Sequence, residues 1–253
     1  MTLTLTKKIH KAKVYNIEKV SVSSYLIETD LGFPVDILPG QFISIYCDGL
    51  TLRRPFSVFS NSKNIIGILF KERGKGTNYI KSLRKGDFID IAGPFGNGFD
   101  IKESKSLLVG AGIGIAPMSF LKNTLDKMNI ENMLISGFLN KSEIPSCVNL
   151  DKIYTDDGSI GEKGSVLNYL GQIIQDYNPE IIYACGPSVV LKTVADIGKT
   201  FDIKTQIAME KVMACGIGVC RGCVINIMKD GKVANATVCK DGPVFDGSEV
   251  IWL

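Results

Sequence analysis

The sequence Cys215-Gly-Ile-Gly-Val-Cys220-Arg-Gly-Cys223 holds three cysteines within nine residues, and a fourth, Cys239, follows after a short β-like segment. The spacing C-x4-C-x2-C with a distant fourth cysteine is typical of four thiolates that ligate a [2Fe–2S] cluster. Thiolates are soft anionic ligands, and iron–sulfur clusters select them. Residues 210–253 are therefore predicted to form a cluster-binding segment with these four cysteines as the metal ligands.

Glycines lie between the predicted ligands, at Gly216, Gly218 and Gly222. A loop that wraps a cluster has to turn sharply and point N–H groups at the sulfurs. Glycine adopts positive φ angles with the least strain, so all three glycines are expected to do so here.

Structural zinc and disulfides are the two alternative roles for the cysteines. Structural zinc is usually bound by two separate pairs of ligands, whereas here three cysteines are crowded together and the fourth stands alone. Disulfides are rare in reducing compartments, and the seven cysteines come without a signal peptide. Both observations favour the iron–sulfur cluster, and Cys47 and Cys147 are interpreted as bystanders.

Composition excludes several classes of function. The chain has 253 residues, of which 45% are apolar, so it can bury a substantial core as one large domain or two to three small ones. The net charge of +3 is too small to indicate nucleic acid as a partner. Met1–Lys13 lacks the apolar region of a signal peptide, and no apolar run reaches the roughly 18 residues of a membrane span. We expect a soluble, cytoplasmic protein.

The sequence contains one histidine, His10. Metal sites with several histidines are therefore excluded, and a Ser-His-Asp triad would have to use His10. His10 is expected to be a solvated residue beside the first strand.

Residues 1–102 are predicted to form an antiparallel β-barrel or sandwich, because short apolar segments alternate there with turn residues. Arg54–Phe59 is taken as one strand, and Pro55 within it requires a sheet edge or a bulge. Arg54 and Ser57 would present a cation and a hydroxyl to a phosphate and a planar ring. Gly74-Lys-Gly76-Thr77 precedes a short helix, and such a helix start is suited to an anion. Together the two motifs indicate a dinucleotide lying across the barrel.

Residues 103–209 are predicted to form an α/β domain, because strands and helices alternate, which indicates a parallel sheet covered on both faces. Val166–Asp176 is predicted as one helix. Ligands of such sheets bind beyond the carboxyl ends of the strands. One of these ends carries Gly110-Ala-Gly112-Ile-Gly114, whose backbone N–H groups can approach a pyrophosphate, and another carries Cys185-Gly186-Pro187.

An acidic loop, Thr155-Asp156-Asp157-Gly158-Ser159, follows another strand of this region. Its carboxylates could accept hydrogen bonds from ribose hydroxyls and would repel a 2′-phosphate, which favours NAD over NADP. An ordinary turn explains Asp-Asp-Gly equally well, and the sequence leaves both interpretations open. Cys185 is likewise either a small buried apolar residue or part of a nicotinamide pocket.

Taken together, the motifs resemble the ferredoxin–NADP reductase superfamily, in which a flavin-binding barrel precedes a nicotinamide-nucleotide domain. The run Met209–Val224, followed by Val238–Phe245, is similar to the electron-transfer subunits of NAD-linked bacterial dihydroorotate dehydrogenases. The resemblance covers essentially the whole chain, and its cysteine segment is the specific part. Arg221-Gly222 departs from it, because an aromatic residue and alanine are more usual there.

The resemblance implies three units: a FAD-binding barrel at 1–102, a NAD-binding α/β domain at 103–209 and a [2Fe–2S] segment at 210–253. The residues that it implies for FAD are Arg54, Pro55, Phe56, Ser57, Leu69, Phe70, Lys71, Gly76 and Thr77. Residues expected at the NAD site are Gly110, Gly112, Gly114, Cys185 and Gly186. No catalytic acid or base is expected in this chain.

The function implied by the resemblance is that of an electron-transfer subunit. Electrons from the FMN of a dihydroorotate-oxidising catalytic subunit would pass through the cluster and FAD to NAD⁺ in pyrimidine biosynthesis, within a heterotetramer containing two of each subunit. One alternative is a FAD and [2Fe–2S] reductase subunit of another complex, serving ferredoxin reduction by NADH, a hydrogenase or a sulfite reductase. A second alternative is a zinc-stabilised binding module without redox activity.

Overall fold

The computed structural model describes residues 9–252. Residues 1–8, most of the stretch Met1–Lys13 considered above for a signal peptide, and residue 253 lie outside it. The strands are β1 (Ile9–Lys19), β2 (Ser24–Asp30), β3 (Phe42–Tyr46), β4 (Arg54–Ser57), β5 (Ser60–Ser62), β6 (Ile65–Lys71), β7 (Phe88–Phe95), β8 (Ser106–Ala111), β9 (Asn132–Phe138), β10 (Lys152–Thr155), β11 (Glu162–Lys163), β12 (Ile181–Cys185), β13 (Lys204–Ala208), β14 (Val224–Lys229), β15 (Lys232–Thr237), β16 (Val244–Asp246) and β17 (Val250–Ile251). The helices are α1 (Lys75–Ser82), α2 (Ile115–Lys127), α3 (Leu170–Tyr177) and α4 (Ser188–Thr200), with 3₁₀ turns at Gly112–Gly114, Lys141–Glu143 and Val166–Asn168. Within 9–252, none of these helices is long and apolar enough to cross a membrane.

The first sheet is antiparallel, with the strand order β4-β3-β7-β1-β2-β6-β5. β4 lies at its edge and also approaches β6, so the sheet curls into a barrel. Pro55 therefore occupies an edge strand, where its missing N–H costs no ladder bond. Alternating residues of these strands, such as Ile43, Ile68 and Ile91, fill the barrel core.

The prediction of one strand over Arg54–Phe59 was wrong. β4 ends at Ser57, and a separate short strand, β5, begins at Ser60 and pairs with β6. Between them, the N–H of Val58 donates to the Gln41 carbonyl, which precedes β3, while the N–H of Phe59 donates to the Gly67 carbonyl in β6. The chain thus changes its partner strand here, and this change helps to close the barrel.

His10 lies within β1, and its ring packs edge-on against Phe33 with 5.1 Å between ring centroids. It is not the fully solvated residue that we expected, since its Nε2 atom is buried.

The second sheet has the order β11-β10-β9-β8-β12-β13-β16, and all of its pairs are parallel except β13 with β16. Its two faces are buried in different clusters. Leu107 and Val109 pack with residues of α3 and α4, while Leu108 packs with residues of α2. The predicted doubly covered parallel sheet is therefore present. The helix expected over Val166–Asp176 instead consists of a 3₁₀ turn followed by α3.

The C-terminal residues form a small sheet of their own, β15-β14-β17, and also complete the second sheet through β16. Asp230 and Gly231 take φ angles of 49° and 73° in the β14–β15 turn, which suits a two-residue hairpin. The domain boundaries at 102/103 and 209/210 stay predictions. The pairing of β16 with β13 means that the last segment is joined to the parallel sheet by backbone hydrogen bonds.

Candidate functional site

A cavity of about 480 Å³ lies between the barrel and the parallel sheet. Residues from both sheets form its walls, so neither domain encloses it alone. The predicted site residues on its walls are Pro55, Phe56, Ser57, Leu69, Phe70, Lys71, Thr77, Gly112, Gly114, Cys185 and Gly186. Arg54, Gly76 and Gly110 were predicted with them and do not line the cavity.

On the barrel side, the edge strand β4 and the neighbouring strand β6 supply most of the wall. The Phe56 ring meets the Phe70 ring at 62° with 5.9 Å between centroids, which fixes both aromatic side chains at the cavity. Arg54 reaches from β4 to the start of α1, where a Cβ on Gly76 would come within 2.8 Å of Arg54 Cγ. The two motifs that the sequence suggested for one dinucleotide are therefore in contact.

Thr77 lines the cavity and also stabilises the start of α1. Its hydroxyl oxygen accepts hydrogen bonds from the N–H groups of Arg73 and Gly74 at 2.9 and 3.0 Å, and its hydroxyl donates to the Gly74 carbonyl. These bonds fix the first turn of α1, as in a capping box. Arg73 and Thr77 both line the cavity, so this turn presents a cation and a helix start to it.

On the nucleotide side, the glycine loop after β8 lies against the end of β12. A Cβ on Gly114 would come within 2.3 Å of the Cys185 carbonyl oxygen, so only glycine fits there. Gly186, with φ of 159°, similarly approaches Ala111. The close contact brings two strand ends together at the cavity, which is where an α/β sheet binds its ligand.

Cys185 forms part of an apolar stretch of wall. Burial raises the pKa of its thiol to about 12, with a smaller contribution from the Glu210 carboxylate. The side chain is therefore a neutral thiol at physiological pH and offers an apolar surface to a ligand.

The acidic loop forms a turn and also borders the cavity. Asp156 lines the cavity. Asp157 Oδ1 accepts a hydrogen bond from the Ser159 N–H at 2.9 Å. The Ser159 hydroxyl, followed by this N–H, holds the pKa of the Asp157 carboxyl below its usual range. One carboxylate thus faces the ligand space, and its neighbour stabilises the turn.

Several wall residues were not identified from the sequence: Phe42, Arg73, Gly137–Leu139, Ser165, Val166, Val190, Met209–Lys211, Met213 and Pro243. Gly137–Leu139 spans the carboxyl end of β9, and the rule that ligands bind at the carboxyl ends of the strands could have found it. Pro243 lies 30 residues beyond Met213, the wall residue nearest to it along the chain, so no local pattern points to it.

The cysteine loop follows directly on this wall, since Met213 lies two residues before Cys215. Backbone N–H groups are directed at the sulfurs. Gly218 N–H donates to Cys239 Sγ at 3.0 Å, and Cys239 N–H donates to Cys223 Sγ at 3.4 Å. The β14–β15 hairpin pairs Val224 with Thr237 and so returns Cys239 to Cys223, as the Asp-Gly turn predicted.

These surroundings shift the pKa values of two of the thiols. The N–H groups of Cys220 and Ile217 lower the pKa of Cys215 to about 6, since they stabilise the thiolate. Burial, together with the neighbouring Cys223 sulfur, raises the pKa of Cys239 to about 12. Cys220 is exposed, whereas Cys223 and Cys239 are buried, so one face of the loop is open to solvent.

One expectation about the loop was wrong. Gly216 and Gly218 take φ angles of 69° and 82°, but Gly222 has no positive φ, and Arg221 takes 55° instead. The turn thus falls one residue earlier, and Gly222 N–H still donates to Cys220 Sγ at 3.4 Å.

Within residues 9–252, no three or more His, Cys, Asp or Glu side chains are arranged to hold a single metal ion. A [2Fe–2S] cluster distributes four thiolates over two irons, so its ligands need not meet at one point. The four cysteines, with N–H groups directed at their sulfurs, fit that donor set.

Comparisons with known proteins agree with this arrangement. Residues 11–99 match an oxidoreductase FAD-binding domain, and residues 210–251 match the iron–sulfur cluster binding domain of dihydroorotate dehydrogenase B. A solved NADH-dependent reduced ferredoxin-NADP oxidoreductase superposes with a TM-score of 0.80, covering 95% of this chain and 90% of that one at 24% identity, and so shares the fold. The chain is thus an oxidoreductase subunit with FAD and an iron–sulfur cluster as cofactors.

Two relatives identify the family within this class of oxidoreductase subunits. The dihydroorotate dehydrogenase B (NAD(+)) electron transfer subunit of Clostridium perfringens is 38% identical, covering 93% of this chain and 94% of that protein. The subunit of the same name from Caldanaerobacter subterraneus subsp. tengcongensis is 37% identical, covering 85% and 87%. The chain belongs to the family of electron transfer subunits of dihydroorotate dehydrogenase B (NAD(+)). Membership in this family favours the iron–sulfur interpretation of the cysteines over zinc.

Proposed function

We propose that this chain carries electrons from the FMN of a dihydroorotate-oxidising partner subunit, through a [2Fe–2S] cluster and FAD, to NAD⁺ in pyrimidine biosynthesis. The observation that supports this most directly is the continuous wall from the flavin motif to the cysteine loop. Phe56 on the barrel, Cys185 on the sheet and Met213 beside Cys215 all border the same cavity.

The barrel residues are assigned to FAD. Phe56, Phe70 and Leu69 form an apolar wall for a planar ring system, and Ser57 adds a hydroxyl at its rim. Arg54, Gly76 and Thr77 stand at the start of α1, where a phosphate would meet N–H groups and a cation. When bound, FAD exchanges two electrons with a nicotinamide and single electrons with a cluster.

The sheet residues are assigned to NAD. Gly112 and Gly114 let the backbone approach a pyrophosphate, and Gly110 precedes them at the carboxyl end of β8. Cys185 and Gly186 form part of the cavity wall at the carboxyl end of β12. Asp156 is assigned to a ribose hydroxyl, since a carboxylate accepts hydrogen bonds from hydroxyls and repels phosphate.

Cys215, Cys220, Cys223 and Cys239 are assigned as the cluster ligands, and their loop as the surface for the catalytic subunit. Apolar side chains are unusually exposed there, with Val212 at 88% and Val219 at 75%. Lys211 and Arg221 flank them, so the surface is apolar with a basic rim. An apolar patch next to a redox centre fits a permanent protein partner. A heterotetramer with two of each subunit, located in the cytoplasm, completes the proposal.

Reconstitution with a dihydroorotate-oxidising FMN subunit tests the function. The purified chain, prepared without air, should contain flavin and iron, and the mixture should reduce NAD⁺ only when dihydroorotate is added. Iron-free material, or a mixture that transfers no electrons to NAD⁺, would contradict the proposal.

The docking surface has its own test. Val219→Asp places a charge on the exposed apolar patch and should weaken binding of the FMN subunit by about tenfold or more, equivalent to ~1.4 kcal/mol. Val22→Asp is the matched control, because Val22 is 53% exposed in the turn between β1 and β2 and lies outside the cysteine loop. Equal binding by both variants would place the partner elsewhere.

A further inference from the structure

The turn that ends the barrel is bound to the segment that follows Cys239. Asn97 N–H donates to the Gly242 carbonyl at 2.7 Å. Its side-chain Nδ2 donates to the carbonyls of Val244 and Asp241 at 2.9 and 3.3 Å, and its Oδ1 accepts from the Val244 N–H at 3.0 Å. One residue thus makes four hydrogen bonds to residues 241–244, which are separated from it by more than 140 positions.

Glycines of the barrel leave no space beneath this segment. A Cβ on Gly96 would come within 2.4 Å of Pro243 Cδ and 2.7 Å of the Gly242 carbonyl oxygen. A Cβ on Gly40 would come within 2.8 Å of Val244 Cγ2. The segment therefore lies directly on the barrel backbone, and its position is set by close contact as well as by hydrogen bonds.

The same segment is tied to the predicted ligand Cys239. Asp241 Oδ2 accepts from both the N–H and the hydroxyl of Thr237 at 2.7 Å, which closes the turn that contains Cys239. Cys239 Sγ in turn accepts from Gly218 N–H inside the cysteine loop. A continuous series of short contacts runs from Asn97 through Asp241 and Cys239 to the loop.

The segment also borders the cavity. Pro243 lines it, and the Pro243 carbonyl accepts from the Met209 N–H at 2.8 Å, where Met209 is another wall residue. Residues 241–244 therefore connect three places: the barrel end, the cavity wall and the predicted ligand loop.

We propose that Asn97 is a positioning residue for electron transfer: it holds the Cys239 segment in a fixed place against the barrel and thereby sets the separation of the cluster from the flavin. The inference rests on the proposed function, since it requires both cofactors. Electron transfer between two bound groups depends on their separation, so a Cys239 segment that moves away from the barrel slows the transfer.

Asn97→Ala in the full-length, cofactor-loaded chain tests this inference. NADH should reduce the flavin at the wild-type rate, whereas the following transfer to the cluster, measured by rapid-freeze EPR, should slow several-fold. Flavin and iron contents should match the wild type. Hydrogen exchange supplies a readout that is independent of turnover, because the Val244 amide loses its acceptor and should exchange faster.

Asn64→Ala is the matched control. The Asn64 amide bonds to Asp30 within the barrel and makes none of the contacts to residues 241–244. It should leave cluster reduction and Val244 exchange unchanged. If Asn97→Ala does not fold, Asn97→Asp replaces it and is judged by cluster reduction and cofactor content, because the aspartate keeps the acceptor for the Val244 N–H and loses the two bonds donated by the side-chain amide.

Three outcomes are distinct. Slower cluster reduction with intact cofactors supports the role of Asn97. Wild-type cluster reduction in the variant overturns it while leaving the proposed function intact. Wild-type protein without flavin or iron overturns the proposed function itself.

Discussion

Cysteine chemistry in this chain depends on the immediate surroundings of each thiol. Backbone N–H groups lower the pKa of Cys215 to about 6, whereas burial raises the pKa of Cys147 to about 11 and that of Cys185 to about 12. The low value occurs in the glycine-rich loop, because the N–H groups of Cys220, Ile217 and Val219 there act on one sulfur and outweigh its burial. The thiolate is the form that binds metal, so Cys215 is suited to ligation as it stands, whereas the buried Cys239 has to release its proton when metal binds.

Cys220→Ser should remove the cluster and leave the flavin bound. Cys220 is the exposed member of the set, so the change leaves core packing intact. Loss of an outer partner of a metal ligand costs about 10- to 100-fold in affinity, and loss of a ligand should cost more. EPR and flavin absorbance measure the two cofactors separately. Cys147→Ser is the control and should retain both, and an unchanged EPR signal in Cys220→Ser would remove this cysteine from the ligand set.

Asp156→Ser should relax the choice between NAD and NADP. Without the carboxylate a 2′-phosphate meets less repulsion, so the ratio of kcat/KM for NADH to that for NADPH should fall by about tenfold, or ~1.4 kcal/mol. The neighbouring Asp157→Asn tests the alternative, since Asp157 holds the turn through Ser159. If Asp157→Asn changed the ratio and Asp156→Ser did not, the assignment of Asp156 would be wrong.

At the scale of elements, the site is made where strands end and helices begin. The carboxyl ends of β8, β9 and β12 supply Gly112, Phe138 and Cys185, and the start of α1 supplies Thr77. These loops reach one cavity because the parallel strands all end at the same edge of their sheet. The Gly114 approach to the Cys185 carbonyl holds two of the loops together.

Gly114→Ala should disturb both stability and the cavity. The new Cβ would meet the backbone of β12, which cannot move aside as a flexible side chain can. Overpacking of this kind costs about 1–3 kcal/mol, visible as a lower Tm together with weaker NADH binding. Gly74→Ala serves as the control, since it has extended backbone with φ of 175° and no atom within 4 Å of a Cβ. A wild-type Tm for Gly114→Ala would show that the loop adapts.

At the scale of the whole molecule, a group of polar contacts joins the barrel to the parallel-sheet domain. Its central residues are Ser23, Lys71 and Glu143, and it is called the clasp below. Glu143 Oε2 accepts from the Ser23 hydroxyl at 2.6 Å and from Lys71 Nζ at 2.9 Å. Backbone bonds reinforce it, with Val22 N–H to the Ser142 carbonyl and Ser146 N–H to the Val20 carbonyl. The Ser23 hydroxyl, followed by the Lys71 ammonium, holds the pKa of Glu143 below its usual range. Lys71 also lines the cavity, so the clasp adjoins the site.

The clasp predicts a pH dependence with a definite sign. Because the pKa of Glu143 is lower in the folded protein than in the unfolded chain, its stabilisation is present above about pH 4.3 and is lost as the pH falls toward the folded value. Glu143→Gln should lower the apparent free energy of unfolding by about 1–3 kcal/mol at pH 7 and reduce the loss of stability on acidification. Urea unfolding at pH 7 and pH 4 measures both effects.

Glu131→Gln is the comparison for the clasp. It removes an exposed ion pair with Lys105, and exposed pairs contribute only about 0–1 kcal/mol. Equal effects of the two substitutions at pH 7 would mean that the clasp is no stronger than a surface pair.

Local pattern predicted much of the site. The edge position of Pro55, the Asp230-Gly231 hairpin and the glycine loop after β8 follow from backbone preferences of single residues, which act over a few positions. The strand over Arg54–Phe59 and the positive φ of Gly222 were wrong, because barrel closure and the packing of the cysteine loop chose other residues. The roles of the individual site residues and the domain boundaries stay predictions.

The sequence by itself determined the class of chain: cysteine spacing, alternation of strands and helices, and turn glycines are properties of neighbouring residues, and they carry the family resemblance. Only the tertiary structure decided that Pro243 and Met213 reach the cavity, that Asp156 rather than Asp157 faces it, and that Asn97 binds the Cys239 segment. The physical reason is that these contacts join residues far apart in the chain. Their geometry depends on how whole sheets pack, and short-range sequence preferences do not specify that packing.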